Sequence, residues 1–154
     1  MNSYEEEPLT SLMARTQKLF RHHVDSLIRA YDVYPGQPPL LMRLAGQDGQ
    51  SQKELARHMQ VQPATLTVMI NRMTSNGLLE RRPDARDQRV SRVYLTEKGR
   101  TAAVAVQEAL GTLEEWSFAR FSSTEKRLFR ELLERMHSDL QGFREARGGE
   151  GGEP

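Results

Sequence analysis

Residues 51–77, SQKELARHMQVQPATLTVMINRMTSNG, constrain the fold more tightly than any other stretch of the chain. Ser51 and Glu54 have the S-x-x-E spacing of a capping box. In that motif the two side chains satisfy backbone N–H groups left without partners at a helix start. Leu55, Ala56 and Met59 then fall on one face. The pattern breaks at QVQ and resumes at Pro63, a residue suited to the first position of a helix. Leu66, Met69, Ile70 and Met73 follow at i, i+3, i+4 and i+7, the spacing of a buried helical face. Thr65, Thr67, Val68, Asn71 and Arg72 lie opposite, and Gly77 suits the terminus because glycine accepts the left-handed conformation. Two short helices around so tight a break predict a helix-turn-helix.

The next segment, RRPDARDQRVSRVYL, places Arg81, Arg82, Arg86, Arg89 and Arg92 close together, with Asp84 and Asp87 among them. Residues 78–82 and 90–95 are expected as two strands, joined by PDARDQ as their loop. The charge is local. Residues 1–50 carry 5 basic and 6 acidic side chains, residues 51–100 carry 10 and 5, and residues 101–154 carry 7 and 10. A basic surface of this kind is the usual footprint of a polyanion partner. On charge alone a solvated surface with chance clustering is the alternative.

Long amphipathic patterns flank this module. Apolar residues from Leu9 to Tyr31 recur at three and four and predict a long helix. VYPGQPP breaks it, and Leu40 to Ala45 is expected as a short buried helix closed by GQDGQ. Thr96 suits the cap of a helix whose apolar line runs from Ala102 to Trp116. Ser122 and Glu125 form a second capping box, ahead of a line from Leu128 to Phe143. RGGEGGEP reads as a flexible tail. Full burial stabilises a Leu or Phe side chain by about 1.5–3 kcal/mol, and the small middle unit cannot cover three wide stripes. A second copy of the chain is the simplest cover, with a self-sufficient monomeric bundle as the alternative. The expected organisation is an N-terminal dimerisation helix (1–35), a basic helix-turn-helix and hairpin module (36–96), a C-terminal dimerisation hairpin (97–147) and a tail (148–154).

Several classes of chemistry lack support. The chain has no cysteine, which removes disulfides, thiol nucleophiles and cysteine metal sites. MNSYEEEP is acidic and has no apolar core, unlike a secretory signal. No apolar run approaches the roughly 18 residues of a membrane span, so a soluble, cytoplasmic protein is expected. His22 and His23 are adjacent in sequence, point about 100° apart on a helix, and make a poor metal pair. His58 and His137 stand alone, so no metal or other cofactor is expected. GQDG lacks the length and the lysine of a phosphate loop, and Ser, His and Asp form no catalytic signature.

The order of helices, helix-turn-helix, hairpin and two further helices resembles the MarR family of bacterial transcriptional regulators. The resemblance covers roughly Leu9 to Arg144. Its most specific features are the proline opening the second helix, NGLLERRPD, the D-x-R of Asp87 and Arg89, and LTEKG. It implies a mainly α fold with a small β-wing: a winged helix-turn-helix flanked by N- and C-terminal dimerisation helices. It also implies a homodimer on a pseudo-palindromic operator in double-stranded DNA, acting as a repressor that responds to a small-molecule effector. Two other roles are carried beside it: a winged helix that binds protein, and a metal-responsive regulator of the same fold. In such a protein the second helix enters the major groove, and Gln62, Ala64, Thr65, Thr67 and Val68 face the bases. Arg72, Arg82 and Arg86 meet phosphates. By similarity Arg89 enters the minor groove, which attracts arginine where it is narrow, and Asp87 pairs with it to fix the tip. Members of the family often carry Arg where this chain has Val68. An effector pocket by similarity would draw on Phe20, His23, Leu27, Leu41, Met42 and Trp116.

Overall fold

The computed structural model describes residues 7–148, with side chains described as far as Phe143. The expected tail at 148–154 lies, Gly148 apart, outside the described residues. The elements run α1 (Leu9–Ile28), a 3-10 turn (Arg29–Tyr31), α2 (Pro38–Gly46), β1 (Gln50–Ser51), α3 (Gln52–Met59), α4 (Pro63–Ser75), β2 (Leu79–Pro83), β3 (Ser91–Leu95), α5 (Glu97–Ser117) and α6 (Ser123–Gly148). The fold is mainly helical with one small antiparallel sheet, the winged helix-turn-helix arrangement. The chain divides into two compact units, the first ending at Leu113 and the second starting at Glu114.

Local chemistry accounts for the element boundaries. Ser51 Oγ accepts from the Glu54 N–H at 3.2 Å, and Glu54 Oε2 accepts from the Ser51 N–H at 2.8 Å, so the capping box is complete. Pro63 opens α4 where no intrahelical N–H bond is needed. The same reasoning explains why α2 starts earlier than expected: Pro38 and Pro39 serve as its first two residues rather than only as breakers. The first helix ends at Ile28 and tightens into the 3-10 turn, with Asp32 left-handed after it (φ 58°). Thr96 Oγ1 accepts from the Gly99 N–H at 3.0 Å and caps α5.

The sheet has three strands, in the order β1-β3-β2, where two were expected from sequence. Gln50 pairs with Val93 and Ser51 with Arg92 on one side of β3, and Leu79 through Pro83 pair with Leu95 through Ser91 on the other. A strand of two polar residues has no alternation to read. Its entry requires Gly49, which is left-handed (φ 68°) and whose missing Cβ would lie 2.7 Å from the Tyr94 ring.

The first unit holds one apolar core. Val24 and Ile28 of α1 join Leu40, Leu41 and Leu44 of α2, Leu55 of α3, and Leu66, Ile70 and Met73 of α4. Leu79, Val93 and Leu95 of the sheet and Ala102, Ala103 and Val106 of α5 complete it. Met69, expected in that core, is only half-buried. The N-terminal end of α5 carries small residues because it approaches closely. A Cβ on Gly99 would stand 2.0 Å from the Leu78 carbonyl oxygen. Much of the apolar stripe of α1 stays uncovered: Leu9, Leu12, Met13, Leu19 and Leu27 are exposed, and only Val24 and Ile28 are buried. In the second unit, Phe118, Phe121 and Phe129 pack ring against ring at 5.2–6.1 Å where α6 begins. Leu128, Leu132, Leu133, Leu140 and Phe143 of α6 are exposed.

Candidate nucleic-acid interface

α4 buries Leu66, Ile70 and Met73, and that choice dictates what its other face shows. Gln62 is the N-cap residue, with extended backbone and no side-chain cap bond, and it is exposed with Ala64 and Thr65. Val68 is 51% exposed, and Arg72 is also exposed one turn later. A β-branched apolar residue half in water on an otherwise polar face adds nothing to this core.

Thr67, expected from the resemblance to face the bases, is hydrogen-bonded within the protein. Its Oγ1 donates to the Pro63 carbonyl at 2.9 Å and accepts from Gln52 Nε2 at 3.1 Å. The proton is committed inside the protein, and the residue is half-buried. Its partner comes from α3, fifteen residues away, which no local pattern announces.

The five arginines of the hairpin divide by role. Arg92 is a strut, with its side chain only 32% exposed. Its guanidinium binds the Asp84 carboxylate, donates to the Gly49 carbonyl at 2.9 Å and reaches Glu54 Oε2 at 3.5 Å. Asp84 Oδ1 also accepts from the N–H groups of Arg86 (2.8 Å) and Asp87 (3.0 Å). Arg92, helped by these two N–H groups, holds the Asp84 carboxyl down to a pKa of about 2. Asp84 in turn raises the Arg92 pKa. The Ser51 hydrogen bonds are the main cause of the lowered Glu54 pKa, with Arg92 adding to it. Backbone bonds from Asp84 N–H to the Val90 carbonyl (2.8 Å) and from Val90 N–H to the Asp87 carbonyl (2.9 Å) close the loop.

Asp87 acts at the tip, but through the backbone. Its Oδ1 accepts from the Arg89 N–H at 3.0 Å. The Arg86 and Arg89 side chains are exposed and make no hydrogen bond or ion pair among the described residues. Arg82 pairs with Glu80 and lies 4.8 Å over the Tyr94 ring. Arg81 turns toward the helices, donating to Asn71 Oδ1 at 2.8 Å and Gln52 Oε1 at 3.4 Å. The hairpin is thus a braced loop with two unengaged guanidinium groups at its tip.

Five of the residues expected around an effector lie in the first unit and the sixth, Trp116, in the second. Leu41 is fully buried in the core and lines nothing open, because α2 turns it inward with Leu40 and Leu44. Met42, the next residue, lines an open cleft of about 710 Å³ with Arg43, His58, Met59 and Met69, while Phe20, His23 and Leu27 do not line it. Phe20 is half-buried against the core, and His23 and Leu27 are exposed on α1. Trp116 belongs to the second unit and is 83% exposed. His58 is not isolated, since its Nδ1 accepts from Arg43 Nη2 at 3.0 Å. Among the described residues no cluster of His, Asp or Glu could hold a metal ion.

A braced wing beside a helix-turn-helix defines a winged helix-turn-helix protein, and comparison with known proteins narrows the class. The MarR family model matches residues 34–91. Transcriptional regulator HosA of Escherichia coli O127:H6 is 30% identical over 105 residues, covering 68% of this chain and 78% of HosA. The HTH-type transcriptional repressor Rv2887 of Mycobacterium tuberculosis is 24% identical over 139 residues, 90% of this chain and all of Rv2887. Among solved structures, the S. aureus MepR–DNA complex superposes with a TM-score of 0.80 at 22% identity, covering 87% of this chain and 99% of that one. The crystal structure of MarR gives 0.73 at 22% identity, with 95% and 98% covered. The chain belongs to the MarR family, whose matched relatives are regulators of transcription rather than enzymes.

Proposed function

We propose that this chain is a sequence-specific DNA-binding transcriptional repressor, working as a homodimer on a pseudo-palindromic operator and responding to a small effector. The observation that carries the reading is the pairing of an exposed α4 face with a braced wing whose two tip arginines are left unengaged. Residues 36–96 are the DNA-binding module. α4 enters the major groove with Gln62, Ala64, Thr65 and Val68 toward the bases and Arg72 toward a phosphate. Val68 and Ala64 offer methyl groups to a thymine methyl, and Gln62 can pair with adenine. Arg89 enters the adjacent minor groove, and Arg86 and Arg82 meet phosphates. Asp87 and Asp84 hold the loop in place. That MepR, a protein of the same fold, is seen bound to DNA supports this use of the fold.

Residues 1–35 and 97–147 are the dimerisation helices. The apolar side chains left exposed on α1 and α6 support this, because a second copy would cover them. An effector is supported by the Met42 cleft. There the half-buried Arg43 hydrogen-bonds Gln50, Gln47 and His58 and pairs with no carboxylate among the described residues, so an acid with an apolar body would supply a counter-charge. Among the described residues no helix is long and apolar enough to cross a membrane, and a repressor acts where the chromosome is, so we place it in the cytoplasm.

The test is selection from a randomised duplex pool by the purified full chain. Enrichment of an inverted repeat with half-sites about one helical turn apart supports the reading. Recovery of unenriched DNA, or binding that shows no preference among duplexes, contradicts it.

A further inference from the structure

Gln52 is the first residue of α3, directly after the Ser51 cap, so its backbone is fixed by the capping box on one side and by β1 on the other. Its carboxamide lies between two other elements. Nε2 donates to Thr67 Oγ1 of α4 at 3.1 Å, and Oε1 accepts from Arg81 Nη2 of β2 at 3.4 Å. The two ends are not interchangeable. The Thr67 O–H donates to the Pro63 carbonyl, so toward Gln52 its oxygen can only accept, and a guanidinium can only donate. Arg81 closes the circuit by donating to Asn71 Oδ1 at 2.8 Å. Thr67 and Asn71 are four residues apart, one turn of the same face of α4. β2 is therefore held to the recognition helix both through Gln52 and directly, and β2 leads straight to Pro83, Asp84 and the wing tip.

We propose that Gln52 is a positioning residue that sets the distance between wing and recognition helix. It thereby sets the spacing, in base pairs, between the major-groove and minor-groove segments that a half-site must present. The inference rests on the DNA-binding reading above. Gln52 need touch no base. It contributes to specificity by making the two groove contacts a rigid pair, so that DNA with the right bases at the wrong spacing satisfies only one of them. It also explains why Arg81, in the most basic stretch of the chain, is turned away from the tip: its charge serves the joint.

The experiment uses the full dimer and the selected operator. Duplexes are made in which one base pair is inserted or removed between the major-groove block and the outer minor-groove block of each half-site. The wild type should lose about tenfold or more in affinity for shifted duplexes, as for a mismatched site. Gln52→Ala should bind the unshifted operator somewhat more weakly, with an unchanged salt slope because no charge is lost. Its penalty for the shifted duplexes should shrink to about threefold or less, because the two contacts no longer act as one unit. Thr67→Val breaks the same bond from the other side and should give the same loss of spacing discrimination. The double variant should be no worse than either single one, as expected for two groups sharing one interaction. Amide exchange at Glu80–Arg82 in free Gln52→Ala protein should quicken while α5 amides stay protected, which separates a loosened joint from a misfolded chain. A folded Gln52→Ala variant that keeps the wild-type penalty overturns the proposal, as do losses from Gln52→Ala and Thr67→Val that simply add. A wild type that selects no sequence sinks the regulator reading itself, and the joint's role with it. A selective wild type with an unaltered variant sinks only the joint.

Discussion

Asp84 organises the wing by accepting from three donors at once: the Arg92 guanidinium and the N–H groups of Arg86 and Asp87. All three favour the carboxylate, which is why its pKa falls from the ordinary 3.8 to about 2. A depressed carboxyl pKa stabilises the folded loop above its unfolded value, and that contribution is lost as pH falls through the folded value. The wing should therefore stay latched at pH 4 and open as pH falls from about 4 to about 2. Carbon-detected NMR of the Asp84 carboxyl should show a midpoint near 2, with the Arg86 and Asp87 amide shifts following it. A midpoint at the ordinary carboxylate value would show that the latch does not form. Gly99 tests packing at the same scale. A methyl group there would meet the Leu78 carbonyl, whereas one at Gly111 would meet nothing within 4 Å. Gly99→Ala should cost about 1–3 kcal/mol in denaturant unfolding, the usual cost of overpacking. Gly111→Ala should cost nothing, and equal effects of the two would contradict the close approach of α5.

Among the elements, those with a local chemical signature were legible in the sequence. The capping box at Ser51, the break before Pro63 and the i, i+3, i+4, i+7 line of α4 each depend on near neighbours, and each appears where the spacing predicts. The hairpin was legible for the same reason, its first strand displaced by one residue and its second starting one residue later than expected. What could not be read depends on partners distant in sequence. β1 is too short to show a period and exists because β3 offers it an edge. Arg92 looks like any exposed strand arginine until Gly49, Glu54 and Asp84 converge on it. The bond that Thr67 accepts from Gln52 joins residues fifteen apart in sequence. Met69 fits the apolar period of α4 and packs against the core, but it is only partly buried because it also lines a cleft. This revises which side chain of α4 should discriminate between bases. Thr65→Ala, at an exposed position in the first turn, should leave the salt slope unchanged and relax preference at particular bases, costing about 1–3 kcal/mol if the contact is direct. Titration against single-base operator variants decides it, and a uniform loss across all of them would assign Thr65 to the backbone instead.

At the scale of the whole molecule, most of the apolar surface of α1 and α6 is exposed in a single chain, and no described residue of α6 is buried. Surface of that kind marks an interaction face, and dimerisation is our reading of it. A chain ending at Ser122 should be monomeric by light scattering and should lose operator binding, because one winged module meets only one half-site. A truncated chain that stays dimeric and binds normally would place the interface elsewhere. Dimerisation also fixes what the wings contribute together. With Arg89 in the minor groove of each half-site, Arg89→Ala removes two cations from the bound complex, one per subunit. Counterion release then lowers the slope of log affinity against log salt by about two units per dimer, since each neutralised phosphate contributes about 0.9. Discrimination between major-groove sequences should be largely kept. The most direct measurement is thus a titration of wild type and Arg89→Ala against the selected operator across a series of salt concentrations. A strong loss of affinity with the shallower slope is the expected result. Equal affinity at every salt concentration would contradict it and leave the wing without a role on DNA.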